Sequence, residues 1–389
     1  MRTIIILSDN PKLRGRAFSI AKELKDDMYR VYYVMWDDPL HMPRKELFRH
    51  VLTSTFPKDY IYEGVMVHKI GRLPGYWPYV NGLFFKNQIR KLYKKLHADI
   101  IYTATYTNET EIPKGLPFIY DLADDYSAPA ELYGSHLYKL AFRLLDVSGT
   151  MKRQCKNALA VTAVSDILVD FAKRYNGVVL KLANGVNAEM VNKVIRENRS
   201  RNARPHSMVY VSGFHQWSRV IETMQAVVEL KNEFPDIDLT LIGPGVESQN
   251  IKKFIKDHKA AHFLHYMGPI LDRQKVLEHI ARSSIGLNIS VKDKFRDAAY
   301  PVKVIEYSSM GKKVVSTDLA EVNKLNFSNV FIFSDSKQGP DLKSAMRNSL
   351  LQQQTQHESD YISEKVLKNY SWHRITGSLL ALINDVVNT

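Results

Sequence analysis

Short apolar runs bounded by polar or glycine-containing turns recur along the whole chain, separated by longer stretches of helical periodicity. Runs of that length suit strands buried on both faces, and the stretches between them suit helices covering a parallel sheet. In the first half the pattern predicts strands over Thr3–Leu7, Arg30–Met35, Val65–Lys69, Ile100–Tyr102, Pro117–Tyr120, Ala160–Ala163 and Val178–Leu182. Helices are expected over Arg16–Lys25, Phe84–Leu96 and Leu137–Asn157. The stretch Val191–His206 is polar, basic and poor in large apolar residues, and marks a boundary between domains at 1–190 and 205–370. Beyond it the alternation restarts. Strands are expected over Ser207–Gly213, running into the glycine, and over Asp238–Ile242, His262–Met267, Ile285–Ser290 and Val314–Thr317, and helices over Val220–Glu233, Ile251–Lys259 and Arg273–Arg282. The tail, 371–389, predicts a closing amphipathic helix. Two successive runs of this kind make an α/β protein with two parallel sheets.

One segment of the second run carries a chemical signal of its own. Pro301 suits the first turn of a short helix and Gly311 suits its end. The start of such a helix offers unpaired N–H groups to an anion. Lys303 and Glu306, three apart, can share the face turned toward it. One cation and one carboxylate beside a phosphate-binding helix start suit a nucleotide diphosphate with its ribose attached.

Composition narrows the setting. The formal net charge of +13 calls for an anionic partner. No zinc-ligand spacing and no RNA-binding aromatic signature accompanies it, which points away from nucleic acid and toward substrate phosphates and an anionic membrane surface. The single cysteine, Cys155, leaves no internal disulfide and fits a reducing cytosol. No run of about twenty apolar residues is present to span a membrane, and Met1–Asp9 reads as a first buried strand. A cytoplasmic location, peripheral on the inner face of the cell membrane, is the expectation. The stretch Leu73–Lys86, continuing into Arg90, Lys91, Lys94 and Lys95, places aromatics beside a basic helix. It suits either an interfacial membrane contact or a packed helix with a solvated basic side.

Other candidate groups fall at strand ends, where open α/β sheets bind ligands. Gly213, His215 and Arg219 lie in the loop after the first strand of the second domain, and Arg219 with Lys303 can neutralise a leaving diphosphate without a metal. Gly243 begins a Gly-Pro-Gly turn that lets backbone pass close to a neighbour. Asp121, Asp124 and Asp125 follow a buried strand and suit a metal, a base or acceptor hydroxyls, with helix capping as the plain alternative. Gly15, between Arg14 and Arg16, opens the first helix. His258, His262 and His265 lack a completing ligand for a metal, and no Gly-x-Gly-x-x-Gly or Walker lysine motif argues for a dehydrogenase or a P-loop kinase.

Taken in order, Val161-Thr-Ala-Val-Ser165, Ala183-Asn-Gly-Val-Asn187, Tyr210-Val-Ser-Gly213, Leu241-Ile-Gly-Pro-Gly245, Met267-Gly-Pro269, Pro301-Val-Lys-Val-Ile-Glu306 and Gly311-Lys-Lys-Val-Val315 resemble the motifs of the retaining glycosyltransferases of GT-B fold, specifically glycosyltransferase family 4, the group 1 type. Tyr120-Asp-Leu-Ala-Asp-Asp125 resembles a segment of its cell-surface glycan branch. The resemblance implies two Rossmann-like domains facing a central cleft, with the tail helix packed back on the first. It implies a metal-independent hexosyltransferase that uses a UDP- or GDP-linked sugar and needs no cofactor, and the positive charge with the aromatic–basic stretch favours a glycan or lipid-linked acceptor at a membrane.

Residue by residue, the resemblance assigns Glu306 to the ribose, Arg219 and Lys303 to the diphosphate, Val302 backbone to a phosphate oxygen, and the region up to Ile270 to the base. Asp121, with Asp124 and Asp125 beside it, falls on the acceptor side. Three departures stand out. The family pairs Glu306 with a second glutamate, and that position is Ala298, next to Asp297. Arg219 stands where the family has a lysine, and Asp121 where it often has a histidine. Two other readings fit the same residues: a GT-B epimerase or phosphorylase, and a degenerate nucleotide-sugar-binding subunit.

Overall fold

In a computed structural model, the structure describes residues 2–8, 13, 15–25, 29–36, 58–71, 78–128, 143–198, 203–335 and 339–388. The chain forms two compact units, 1–184 together with 372–389, and 185–371.

The described strands of the first unit are β1 (Arg2–Ser8), β2 (Tyr29–Met35), β3 (Lys58–Tyr62), β4 (Val65–Lys69), β5 (Ile100–Thr103), β6 (Phe118–Leu122), β7 (Ala160–Ala163) and β8 (Val179–Lys181). They form one sheet of order β3-β4-β2-β1-β5-β6-β7-β8. All neighbours are parallel except the β3–β4 hairpin. Its described helices are α1 (Arg16–Leu24), α2 (Pro78–Leu96), α3 (Val147–Asn157) and α4 (Asp166–Lys173). Ser165 caps α4 by accepting from the Leu168 N–H. The expected helix over Leu137–Asn157 is described only from 143 onward, and there α3 begins at Val147, after a turn that puts Asp146 in the left-handed region.

The second unit opens with α5 (Ala188–Asn198), followed by β9 (Ser207–Val211), α6 (Val220–Leu230), β10 (Asp238–Ile242), α7 (Ser248–Asp257), β11 (Leu264–Gly268), α8 (Arg273–Ala281), β12 (Ile285–Asn288), α9 (Lys294–Ala298), α10 (Val302–Ser309), β13 (Lys313–Thr317), α11 (Ala320–Leu325), β14 (Val330–Phe333), α12 (Leu342–Leu351) and α13 (Gln356–Tyr370). Its sheet is parallel throughout, in the order β11-β10-β9-β12-β13-β14. That is the doubly wound 3-2-1-4-5-6 order, and it places a crevice outside the C-terminal ends of β9 and β12, where the winding reverses. The last helix, α14 (Trp372–Asn388), belongs to the first unit and buries Trp372, Ile375, Leu379 and Ile383 in the core with Phe18 and Leu24 of α1.

The chain passes between units at Asn184–Gly185, not within 190–205. The polar stretch expected there as a boundary is largely α5. Only one face of that helix is apolar, and Val191 and Val194 pack it into the second unit.

Both units are parallel-sheet, Rossmann-like domains. No described helix is long and apolar enough to cross a membrane.

Candidate functional site

The site is built on α10. Tyr307 anchors the helix: its hydroxyl donates to the Leu287 carbonyl at 3.3 Å and accepts from the Val211 N–H at 3.1 Å, tying α10 to β12 and β9 together. Its ring lies on Gly286, where a Cβ would come within 2.2 Å. Pro301 precedes the helix with φ −81° and ψ 65°, a tight turn closed by the Val302 N–H donating to the Tyr300 carbonyl at 2.9 Å. The N–H groups of Lys303 and Val304 have no backbone acceptor among the described residues, as expected one turn into a helix.

Lys303 reaches from this start to the loop after β9, where Nζ donates to Ser212 Oγ at 3.0 Å. It has no carboxylate partner among the described residues. Burial, and then the nearby Arg296 guanidinium, lower its ammonium to about 8. Arg296, on α9, is itself buried. It pairs with Asp293 and lies 4.3 Å over the ring of Trp217, which comes from the loop after β9. A hydrogen bond from the Val291 N–H to the Trp217 carbonyl joins the two loops. Lys303 therefore has a second cation beside it at the topological switch point and no carboxylate partner among the described residues, an arrangement that favours an anion. One turn further along α10, Glu306 pairs through Oε1 with Arg273 at the start of α8.

Residues 205–348 match the family model described as Glycosyl transferases group 1. The second unit carries a group 1 glycosyltransferase domain. Solved structures extend the likeness over the whole chain. Sucrose-phosphate synthase from Thermosynechococcus elongatus superposes with TM-score 0.69 at 11% identity, covering 99% of each chain. Anabaena Alr3699/HepE, in complex with UDP-glucose, gives 0.66 at 13% over 99% of this chain and 100% of that one. WaaG, a glycosyltransferase involved in lipopolysaccharide biosynthesis, gives 0.65 at 12% over 98% and 99%. No curated protein matches. The fold is thus GT-B, and family domain and fold together support a nucleotide-sugar-dependent glycosyltransferase.

Within the glycosyltransferase domain the remaining expected residues divide. Gly213 and exposed His215 lie at the switch-point loop, with the His215 ring stacked on Trp217 at 5.7 Å. Gly243 is fixed by backbone packing: its φ is +143°, and a Cβ would stand 1.7 Å from the Ser212 carbonyl oxygen. Gly243→Ala is expected to cost about 2–4 kcal/mol in thermal unfolding and to weaken nucleotide binding by displacing Ser212, the partner of Lys303. Ile270 packs, partly buried, against the core beside Val276 and Val304.

Two residues expected at the donor, Arg219 and Val302, are engaged elsewhere in this structure. The Arg219 guanidinium is held by two carboxylates, Glu222 and Asp335 (2.9 Å), and lies 5.2 Å over Phe333, so its charge is already answered. The second cation near Lys303 is Arg296, which stands among charged neighbours in the sequence and carries no local signal of burial. The Val302 N–H is used by Tyr300, leaving those of Lys303 and Val304. Asp297, the neighbour of Ala298, accepts from the Ala320 N–H at 3.1 Å and caps α11.

In the first unit Asp121 is fully buried and closed off. Arg16 donates to both of its oxygens, from Nε at 2.8 Å and Nη2 at 3.0 Å, and Thr162 Oγ1 donates to Oδ1 at 2.7 Å. Arg16 also donates to the Leu182 and Ala183 carbonyls at 3.0 and 2.7 Å. Burial works against the Arg16 charge, but Asp121 outweighs it and holds the guanidinium above its ordinary range. In this structure Asp121 is thus the buried counter-charge of Arg16, whereas a catalytic role was expected of it. Asp124 and Asp125 are half-buried at the strand end, where Asp125 accepts from Ser127 Oγ at 2.7 Å. Gly15 precedes α1 at φ +89° with open space where a Cβ would point. Arg14 lies outside the described residues. No cluster of metal-ligating side chains occurs among the described residues.

Proposed function

We propose that the protein moves a hexosyl group from a UDP- or GDP-linked donor to a hydroxyl of a lipid-linked or cell-surface glycan, with retention of configuration and without a metal. The observation that carries this is Lys303: a half-buried cation without a counter-carboxylate among the described residues, at the start of α10, with Arg296 beside it and Glu306 one turn on. The donor diphosphate lies against Lys303, Arg296 and the free N–H groups of Lys303 and Val304. Glu306 takes the ribose hydroxyls through the oxygen that Arg273 leaves open. Gly213, His215, Gly243 and Ile270 border the same site, and Gly15 offers open backbone on the first unit.

As the bond from the anomeric carbon to the diphosphate breaks, the two cations stabilise the growing charge. The acceptor hydroxyl attacks from the same face and gives its proton to the departing phosphate. Asp124 and Asp125 orient the acceptor. The UDP-glucose complex of HepE supports a uridine donor, and the role of WaaG in lipopolysaccharide biosynthesis supports a lipid-linked acceptor at a membrane.

A thermal-shift screen over UDP-, GDP- and ADP-sugars tests the donor site. One nucleotide is expected to stabilise the wild type, and Glu306→Ala to weaken that binding about ten- to a hundredfold. Stabilisation unchanged in Glu306→Ala would remove Glu306 from the site. Ala298, with Asp297 committed to α11, favours one second reading, a nucleotide-sugar-binding subunit. Tight binding without turnover on a broad acceptor panel would support it.

A further inference from the structure

Helix α2 carries Lys86, Arg90, Lys91, Lys94 and Lys95 and no Asp or Glu. Its inner face is core: Phe85, Ile89 and Leu92 are buried. Part of the aromatic–basic stretch is therefore ordinary packing, and Leu73 to Trp77 lie outside the described residues. The outer face is different. Its first two turns expose Tyr79 (68%), Val80 (51%) and Leu83 (73%), large apolar groups that a folded chain normally covers. At helical spacing behind them come exposed Asn87, Arg90, Lys91, Lys94 and Lys95. Lys86 lies 3.7 Å from Glu111, but the other four cations have no ion pair with a described residue.

We propose that this face of α2 docks the protein on an anionic phospholipid surface. Tyr79, Val80 and Leu83 enter the boundary between headgroups and acyl chains, and Arg90, Lys91, Lys94 and Lys95 lie along the headgroup phosphates. The pairing of an apolar tip with a cationic stripe that no described acid pairs decides the partner. An apolar tip gains nothing from a nucleic-acid backbone, and a protein partner does not require four cations without one acid. This docking does not depend on the donor site, so it stands or falls separately from the proposed transfer reaction.

Co-sedimentation of the full chain with vesicles tests it. The wild type is expected to bind phosphatidylglycerol/phosphatidylcholine vesicles at low salt and to bind pure phosphatidylcholine far less. Lys91→Gln with Lys94→Gln should lower the partition coefficient about thirtyfold, and Leu83→Ser about tenfold. Lys252→Gln with Lys253→Gln, on the exposed face of α7, should change it no more than about twofold. All these side chains are exposed, so the variants should keep the wild-type unfolding temperature. Absence of wild-type binding to anionic vesicles would overturn the proposal, as would equal losses in the α2 and α7 pairs. So would polyuridylate binding that is as tight as vesicle binding and indifferent to Leu83→Ser.

Discussion

Lys303→Met is expected to lower kcat/KM about a hundred- to a thousandfold, the usual consequence of removing one preorganised donor from a developing oxyanion. It should also raise the unfolding temperature at pH 7, because it removes a desolvated cation that no carboxylate among the described residues answers. Loss of activity with a gain in stability distinguishes a charge held for a ligand from one that holds the fold. The same residue sets a pH dependence. Its folded value, about 8, lies below the ordinary 10.5. Between those values the unfolded chain binds a proton that the empty folded protein does not, so this group's contribution to stability rises with pH across that window.

A bound diphosphate reverses the balance by restoring the ammonium. Nucleotide binding should therefore take up a proton and weaken as pH rises through 8, with about half a proton taken up at pH 8. Titration calorimetry of UDP in two buffers of different ionisation enthalpy measures that uptake, and Lys303→Met should abolish it. Lys312, also lowered to about 8 by burial, provides the contrast. Its Nζ donates to the Ala281 carbonyl at 2.6 Å at the end of α8, and it precedes β13, at the opposite edge of the sheet from the site. It should keep its proton balance on binding. Uptake that persists in Lys303→Met would place the titrating group elsewhere.

The parts of this molecule that sequence pattern reveals are those governed by neighbours along the chain. Strand β1 is buried from Thr3 to Ser8, so Ile4–Leu7 appears as a continuous apolar run bounded by polar residues. Lys303 and Glu306 were legible for the same reason: a proline, a glycine and helical spacing lie within eleven residues of each other. Strand β3, Lys58–Tyr62, has only Tyr60 half-buried and pairs antiparallel at an edge, so burial imposes no alternation of apolar and polar positions on it. The charged site residues depended on long-range partners. Arg296 stands among Lys292, Asp293, Lys294 and Asp297 and looks solvated, yet Trp217 and Asp293 bury it. Arg219 meets Asp335 across 116 positions, a pairing that no local spacing records.

Asp121→Asn is expected to destabilise the first unit by about 3–5 kcal/mol, because it leaves the Arg16 guanidinium buried without its counter-charge. That corresponds to a fall of roughly 10 °C in the unfolding temperature of a unit this size. The prediction separates two roles that the residue's place after a buried strand left open. A carboxylate that orients an acceptor must keep an oxygen accessible, whereas both oxygens of Asp121 are taken by Arg16 and Thr162. Its work is indirect: it holds Arg16, and Arg16 holds the carbonyls of Leu182 and Ala183, where the chain leaves the first unit. Below its lowered unfolding transition, Asp121→Asn should therefore retain kcat within a few-fold of wild type. The double replacement Arg16→Met with Asp121→Leu should recover part of the lost stability, since an apolar pair of similar volume needs no counter-charge. An Asp121→Asn protein with the wild-type unfolding temperature and a hundredfold loss of kcat would instead make Asp121 a catalytic group.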